Sequence, residues 1–90
     1  MRFAVRVEVR LRPGIADPQG ATIERALPAL GFDGVEDLRV GKAIRFTVEA
    51  PDEGAARARA TEMCERLLAN PVIEDAEIEI SADAKNTVLR

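Results

Sequence analysis

The segment FAVRVEVRL, residues 3–11, decides the fold class because its apolar side chains recur at every second position. Its odd positions are all apolar, and its even positions from Arg6 to Arg10 are all charged. A period of two predicts a β-strand with one buried face and one face in water. The dipeptide Pro13-Gly14 then ends the strand, since it favours a turn.

The segment that follows has the signals of a helix. Asp17 suits the N-cap, and Pro18 suits the first helical position. Apolar residues then recur at helical spacing, namely Ile23, Ala26, Leu27 and Leu30. Gly31 suits the position just after the helix. Because Pro28 removes a backbone hydrogen bond, we predict a kink near Glu24.

Two further strands are predicted over residues 35–40 and 43–50, where apolar and polar residues again alternate in the second run. Gly41 and Lys42 lie between the two runs. A two-residue linker of this kind predicts a β-hairpin in which Gly41 supplies a positive φ.

A second helix is predicted over residues 51–70, with Asp52 as its N-cap. Asn70 is expected in the left-handed conformation at its end, and Pro71 prevents its continuation. A last strand is predicted over residues 72–80, and residues 81–90 are expected to form a loose C-terminal tail.

The order βαββαβ predicts an α+β fold: a two-layer sandwich with two helices on one face of a four-stranded antiparallel sheet. We predict a single domain over residues 1–80. Arg6 and Arg10 on the first strand complement Glu77 and Glu79 on the last, so we expect these strands to be neighbours. A single layer with free edges is expected to be extended or paired by dimerisation.

Composition excludes several classes of function. The 90 residues carry a net charge of −3, without His, Trp or Tyr and with a single Cys. An acidic chain with three Phe as its only aromatic residues is a poor nucleic-acid binder, and imidazole catalysis and thiolate metal clusters are excluded. No apolar run approaches the roughly 18 residues of a membrane span, and the N-terminus does not read as a signal peptide. We therefore expect a cytoplasmic protein without a membrane partner.

No complete catalytic constellation is evident. Cys64 lies on the apolar stripe of the second helix and is expected to be a buried thiol rather than a nucleophile. Gly41-Lys42 lacks the remainder of a phosphate-binding loop, although Lys42 and Arg39 stay candidates for contacts with a partner or an anion. Gly20 is a poor helix former, which leaves open a close approach by another backbone. A solvated strand face is expected for the acidic residues Glu74, Asp75, Glu77 and Glu79.

Several short segments occur together, in a fixed order, between about Phe3 and Ile80. They are Arg10-Leu11-Arg12-Pro13-Gly14, Asp17-Pro18-Gln19-Gly20, Leu30-Gly31-Phe32, Val35 with Arg39-Val40-Gly41-Lys42, and Met63-Cys64 with Leu67-Leu68-Ala69-Asn70-Pro71-Val72-Ile73-Glu74. On these segments the chain resembles the PurS family, the small subunit of the three-component formylglycinamidine ribonucleotide synthetase of purine biosynthesis.

The resemblance implies a non-catalytic subunit of an ATP- and glutamine-dependent ligase. In that family a large subunit binds ATP and performs the amidation, and a glutaminase subunit releases ammonia from glutamine. The small subunit forms a homodimer that bridges the two. The resemblance thus implies no cofactor in this chain, ATP and Mg²⁺ used by the complex, and three partners: a second copy, the synthetase and the glutaminase.

The resemblance also marks nine residues as contacts with other subunits or as determinants of local backbone geometry. They are Asp17, Gln19, Gly20, Arg39, Gly41, Lys42, Asn70, Pro71 and Glu74. Two other functions stay open: a dimeric metabolite-binding regulatory module of βαββαβ fold, and a small enzyme that uses carboxylates. Saturable binding of a metabolite would favour the first, and turnover by the chain alone the second.

Overall fold

The computed structural model describes residues 1–82. It contains three strands and two α-helices, with a 3₁₀ turn at Pro28–Leu30 and a π-helical turn at Cys64–Leu68. In chain order the main elements are β1 (Arg2–Leu11), α1 (Pro18–Ala26), β2 (Gly41–Glu49), α2 (Glu53–Met63) and β3 (Glu74–Ala82).

The three strands form one antiparallel sheet in the order β2-β1-β3. In its central row Val7 lies opposite Ile44 of β2 and Ile78 of β3. The central strand is therefore paired along both edges, which agrees with the unbroken alternation of residues 3–11.

The predicted pairing of the first and last strands is confirmed. Arg6 lies opposite Glu79, with Nη1 and Oε1 3.8 Å apart, and Arg10 Nη1 lies 3.2 Å from Glu77 Oε1. Each pair is exposed to water, so each contributes at most about 1 kcal/mol to stability. The pairs connect two strands that lie more than 60 residues apart in sequence, in a register that also places Val5, Val7 and Val9 opposite Ile80, Ile78 and Ala76.

The predicted fourth strand is wrong. Residues 35–40 have no regular secondary structure among the described residues, and Gly41-Lys42 is not a hairpin turn. These two residues instead begin β2, where Gly41 lies opposite Arg10 and Lys42 opposite Val9. Gly41 is not among the glycines with positive φ, so the physical reason for a glycine at this position differs from the predicted one.

The core lies between the sheet and α2. Its strand side consists of inward residues of β1, and its helix side of small residues of α2 and of the π-helical turn: Phe3, Val5, Val7, Val9, Ala56, Ala60 and Cys64. The small side chains allow the helix to lie close to the sheet. The π-helical turn then places Leu68 against the core and leaves Leu67 83% exposed.

The prediction that both helices cover the sheet is wrong for α1, which makes few contacts with any strand. We refer to residues 17–40 as the arm. Its apolar side chains are largely in water: Ile23 is 40% exposed, Phe32 58% and Leu30 70%. The radius of gyration is 16.7 Å, whereas about 12 Å is typical of a compact domain of 90 residues.

The sequence predicted that this helix continues past Pro28 with a kink near Glu24. Instead, helix α1 ends at Ala26, before the proline. Pro28 begins the 3₁₀ turn, because a proline at the start of a turn loses no backbone hydrogen bond. Gly31 has a φ of 94° and ends the turn, as its position in the sequence predicted.

The end of the second helix also differs from the prediction. Asn70 is not in the left-handed conformation; the only non-glycine residue described with a positive φ is Asp37. Ser81 and Ala82, predicted to begin the tail, are the last residues of β3, and the rest of that predicted tail lies outside the described residues. No helix among residues 1–82 is long and apolar enough to span a membrane.

Candidate functional site

The predicted site residues lie together at one end of the sheet, where β1 ends and where β2 and β3 begin. An open depression of about 380 Å³ occupies this end. It is lined by Val9, Arg10, Leu11, Asp17, Pro18, Gln19, Val40, Gly41, Lys42 and Glu74. Five of the nine predicted residues are in this lining. The others adjoin it: Gly20 and Arg39 beside Asp17, and Asn70 and Pro71 in the loop before Glu74.

Asp17 is the centre of the site. Its Oδ1 accepts a hydrogen bond of 2.9 Å from the Gly20 N–H, which caps α1, and its Oδ2 accepts one of 2.8 Å from the Val40 N–H. The Arg39 guanidinium lies 3.7 Å from Oδ2, and the Asp17 side chain is only 8% exposed. One carboxylate therefore holds the beginning of α1 against the chain that enters β2.

The sequence analysis left open whether another part of the backbone lies close to Gly20, and the structure shows that one does. A Cβ at this position would lie 2.7 Å from the Leu38 carbonyl oxygen and 2.6 Å from Asp17 Oδ2. One turn later, Glu24 Oε1 accepts a hydrogen bond of 3.0 Å from the Leu38 N–H. The N–H groups of Leu38 and Val40 thus bond to the side chains of Glu24 and Asp17 and not to a strand, which explains why the predicted strand is absent.

The pKa of Asp17 is expected to make this contact sensitive to acid. The hydrogen bond from Val40 N–H, that from Gly20 N–H and the charge of Arg39 together hold the pKa of the carboxyl below its ordinary value of 3.8, against an opposing effect of burial. A lowered folded-state pKa contributes stability above the unfolded-state value, and this stability is lost as the pH falls through the folded-state pKa.

The amide resonance of Val40 should therefore titrate with a midpoint below 3.8 in an NMR pH series. Asp17→Asn should abolish that titration. A midpoint at or above 3.8 would contradict the role given to the Val40 hydrogen bond.

Asn70 and Glu74 shape the loop that leads into β3. The Asn70 N–H donates to Glu74 Oε1 at 2.7 Å, and the Asn70 side chain accepts from the Val72 N–H at 3.0 Å. Arg12, which the sequence analysis did not select, donates to the Pro71 carbonyl at 2.7 Å and pairs with Asp75 at 3.2 Å. These bonds give Asn70 and Glu74 a role in local geometry.

Gly41, Lys42 and Gln19 complete the site. A Cβ on Gly41 would lie 2.7 Å from the Val9 carbonyl oxygen, so this position excludes side chains because of proximity to β1. Within residues 1–82 neither Lys42 nor Gln19 makes a side-chain hydrogen bond or ion pair. These two side chains are exposed and available to a second molecule.

The other candidate reactive groups have structural roles. Cys64 is 6% exposed, and burial raises the pKa of its thiol, which disfavours the reactive thiolate. Asp75, Glu77 and Glu79 of β3 share the polar face of the sheet and Glu74 lies on the other face; Glu77 and Glu79 pair with arginines of β1. No group of three or more potential metal ligands is present in the described part of the chain.

Fold and site together define a small α+β protein in which most polar side chains of the site form hydrogen bonds with the chain's own backbone. Three comparisons identify the family. The family model of PurS, phosphoribosylformylglycinamidine (FGAM) synthase, matches residues 4–82. A phosphoribosylformylglycinamidine synthase subunit PurS from Synechocystis sp. is 48% identical over 80 residues, which are 89% of this chain and 80% of that protein.

Solved structures agree with the sequence comparisons. A chain in the structure of PurLQS from Thermotoga maritima is 37% identical with a TM-score of 0.83, over 90% of this chain and 99% of that one. PurS from Methanocaldococcus jannaschii is 38% identical with a TM-score of 0.79, over 89% and 96%. The chain therefore belongs to the PurS family of subunits of phosphoribosylformylglycinamidine synthase, an enzyme of purine biosynthesis.

Proposed function

We propose that this chain is a non-catalytic bridging subunit of phosphoribosylformylglycinamidine synthase, a cytoplasmic ligase. A homodimer of the chain holds the glutaminase subunit next to the synthetase subunit, and ammonia passes between them. ATP and Mg²⁺ are used by the complex, and this chain holds neither. The observation that carries the proposal is the similarity to a chain of the Thermotoga maritima PurLQS structure over 90% of this chain.

The distribution of apolar surface supports the homodimer. Because α2 packs on β1 and β3, the inward side chains of β2 are only partly covered: Ile44, Phe46 and Val48. A groove of about 470 Å³ lies beside Val48 and the exposed helix residues Met63 and Leu67. The chain thus has two uncovered apolar surfaces, the groove beside β2 and the arm.

A reciprocal exchange covers both surfaces at once. In a two-fold dimer, the arm of one protomer packs on the partner's β2 and groove, and the partner's arm does the same in return. A small domain with a thin core gains stability from such association. This arrangement needs no further secondary structure in residues 35–40.

The bridge acts by proximity. Ammonia released beside the synthetase reaches it at a higher effective concentration than ammonia that first enters bulk solvent. The bridging chain then affects turnover with glutamine and leaves turnover with added ammonium salt unchanged. This difference separates a bridging role from a role in the amidation step itself.

Reconstitution tests the proposal. The synthetase and glutaminase of the same organism are assayed with and without this chain, using glutamine or an ammonium salt as the nitrogen source. We expect glutamine-dependent turnover to need the chain and to fall by roughly tenfold or more without it, since delivery becomes bimolecular. Ammonium-dependent turnover should persist in both cases.

Equal glutamine-dependent turnover without the chain would overturn the bridging role. Saturable binding of an amino acid or nucleotide by the isolated chain would then favour the metabolite-binding module. Turnover by the isolated chain would instead favour a carboxylate enzyme.

A further inference from the structure

We propose that two copies of this chain pair their β2 strands, edge to edge and antiparallel, about a two-fold axis at Thr47. The sheets of the two copies then form one continuous sheet. This inference rests on the homodimer of the proposed function, and it identifies the edge and the register that join the two copies.

The outer edge of β2 has unpaired backbone groups. The Ala50 N–H donates to the Met1 carbonyl at 2.9 Å, so the even-numbered residues of this strand bond to β1. The odd-numbered residues from Gly41 to Glu49 therefore direct their N–H and C=O groups away from β1, where no strand of residues 1–82 pairs with them. Arg59 reaches only the last of these carbonyls, that of Glu49, at 3.3 Å. A strand of nine residues without proline can extend a sheet along such an edge.

The outer edge of β3 is less suited to pairing with a second copy. The Arg57 guanidinium lies at this edge and donates to the Ile78 carbonyl at 3.3 Å. Asp75, Glu77 and Glu79 share one face of the strand, so two paired copies of β3 would place carboxylates side by side. The sheet can therefore continue at β2 with less repulsion than at β3.

Arg45, on the polar face of β2, lacks a compensating charge. It lies opposite Arg6 of β1, and like charges on neighbouring strands repel each other. Arg6 has two carboxylates nearby, Glu79 at 3.8 Å and Glu8 at 4.0 Å. Arg45 is exposed and forms no ion pair within the described part of the chain. A carboxylate from a second molecule, on the free side of β2, would supply the missing charge.

A second copy of β2 carries that carboxylate. Pairing through odd-numbered residues keeps the apolar side chains of both strands on the same side of the sheet, so only the offset between the strands is left to determine. Glu49 is the one acidic residue of β2, and a two-fold axis at Thr47 is the offset that places it opposite the partner's Arg45. The same offset places Phe46 opposite the partner's Val48, so apolar side chains also meet. Because β2 complements its own copy in both charge and apolar pattern, the occupant of this edge is a second copy of the chain.

The same register brings the arm of one copy to the groove of the other. In antiparallel pairing about Thr47, the partner's Gly41 lies beyond Ala50, near the beginning of α2. The partner's arm ends at residue 40, directly before this position. The groove beside Val48 lies at the same end of β2. One two-fold operation therefore pairs the strands and also covers the apolar surfaces of the groove and the arm.

Cysteine cross-linking tests the pairing, because a residue on a two-fold axis lies beside its own copy. Opposed residues of an antiparallel pair have Cα atoms about 5.5 Å apart, a distance that a disulfide spans. Under mild oxidation, most of the full-length Thr47→Cys chain should form a covalent dimer that a reductant separates. Ser81→Cys is the matched control, since Thr47 and Ser81 are both exposed and both lie opposite Ala4, but Ser81 is on β3. Ser81→Cys and the unmodified chain, whose Cys64 is buried, should not cross-link.

Charge reversal tests the register without a cross-link. Arg45→Glu places carboxylates opposite each other in the dimer, and Glu49→Arg places guanidinium groups opposite each other. Each variant alone should therefore have a dissociation constant about tenfold higher than the unmodified chain. In a mixture of the two variants, both contacts of a heterodimer join opposite charges. Sedimentation velocity should then show heterodimers with a dissociation constant within about threefold of the original one.

Three outcomes would overturn the inference: a dimer that Thr47→Cys does not cross-link, equal cross-linking by Ser81→Cys, or a mixture of the charge variants that dissociates as readily as each variant alone. In all three the homodimer of the proposed function still stands. If the unmodified chain is a monomer in sedimentation, the homodimer and the pairing both fail. If Thr47→Cys cross-links as expected and the unmodified chain has no effect on glutamine-dependent turnover, the pairing stands and only the bridging role fails.

Discussion

Replacing Leu30 and Phe32 together by glutamate is expected to separate the proposed dimer into monomers, with a dissociation constant at least about 100-fold higher. In the single chain these side chains are 70% and 58% exposed and belong to the arm. Burial of each contributes about 1.5–3 kcal/mol, and each glutamate would bring a charge into an apolar contact. Sedimentation velocity over a series of concentrations measures the change, and glutamine-dependent turnover should fall with it.

Val72→Glu is the matched control for this variant. Val72 is 76% exposed, so it is as accessible as Leu30, but it lies in the loop before β3 and lines neither the groove nor the arm. Glutamate there adds the same kind of charge to an exposed apolar position and should leave the dissociation constant unchanged. A dimer that withstands the Leu30 and Phe32 substitutions, or that Val72→Glu disrupts equally, would contradict the arm exchange.

The pairing of β1 with β3 could be predicted from the sequence, because β1 has a strict period of two and the two strands carry complementary charges. Residues 3–11 determined one strand without ambiguity, and the charges of Arg6 and Arg10 identified β3 as a neighbour. Helix starts were equally accessible, because Asp17 and Asp52 each cap a helix through a hydrogen bond to a backbone N–H three residues later. Strand periodicity and helix caps are local signals, and the pairing of two strands followed from their opposite charges.

The position of α1 could not be predicted, because an apolar stripe shows that a helix face prefers burial and not which surface covers it. Ile23 and Leu30 carry the expected period, yet they lie in water in the single chain. Likewise, the run from Val35 to Val40 before Gly41-Lys42 was consistent with the first strand of a hairpin. Instead of pairing with a strand, the N–H groups of Leu38 and Val40 donate to the side chains of Glu24 and Asp17. Nothing in the sequence pattern indicates that Glu24 acts as an acceptor.

The sequence predicted which residues form the candidate site better than it predicted what each residue does there. Gly20 stood out because a glycine in the first turn of a helix is unfavourable, and the close carbonyl of Leu38 accounts for it. Arg12 did not stand out, because arginines are frequent on polar strand faces and its three bonds, to Pro71 and to the first two residues of β3, depend on tertiary structure. A residue that disfavours its predicted secondary structure can be recognised in a sequence, whereas the tertiary hydrogen bonds of a surface arginine cannot.

Gly20→Ala and Gly54→Ala are expected to change stability in opposite directions. Both glycines lie in the first turn of a helix that an aspartate caps, and neither has a positive φ. Alanine lowers the entropy of the unfolded chain at both positions, which favours the folded state by about 0.5–1 kcal/mol. At Gly54 the nearest atom to a new Cβ would be Asp52 Oδ1 at 3.5 Å, an ordinary contact, so this gain should be retained.

At Gly20 the same methyl group would lie 2.7 Å from the Leu38 carbonyl oxygen, a backbone atom that cannot rotate away. Helix α1 must therefore separate from residues 38–40, and the hydrogen bonds of Leu38 and Val40 to Glu24 and Asp17 lengthen or break. Overpacking of this kind costs about 1–3 kcal/mol, more than the entropic gain. Amide exchange at Val40 should accelerate by roughly tenfold in Gly20→Ala and stay unchanged in Gly54→Ala, whose thermal midpoint should rise by about 4 °C. If alanine at residue 20 left Val40 as protected as before, the contact between α1 and the chain entering β2 would not be the constraint that the geometry indicates, and the glycine would need another explanation.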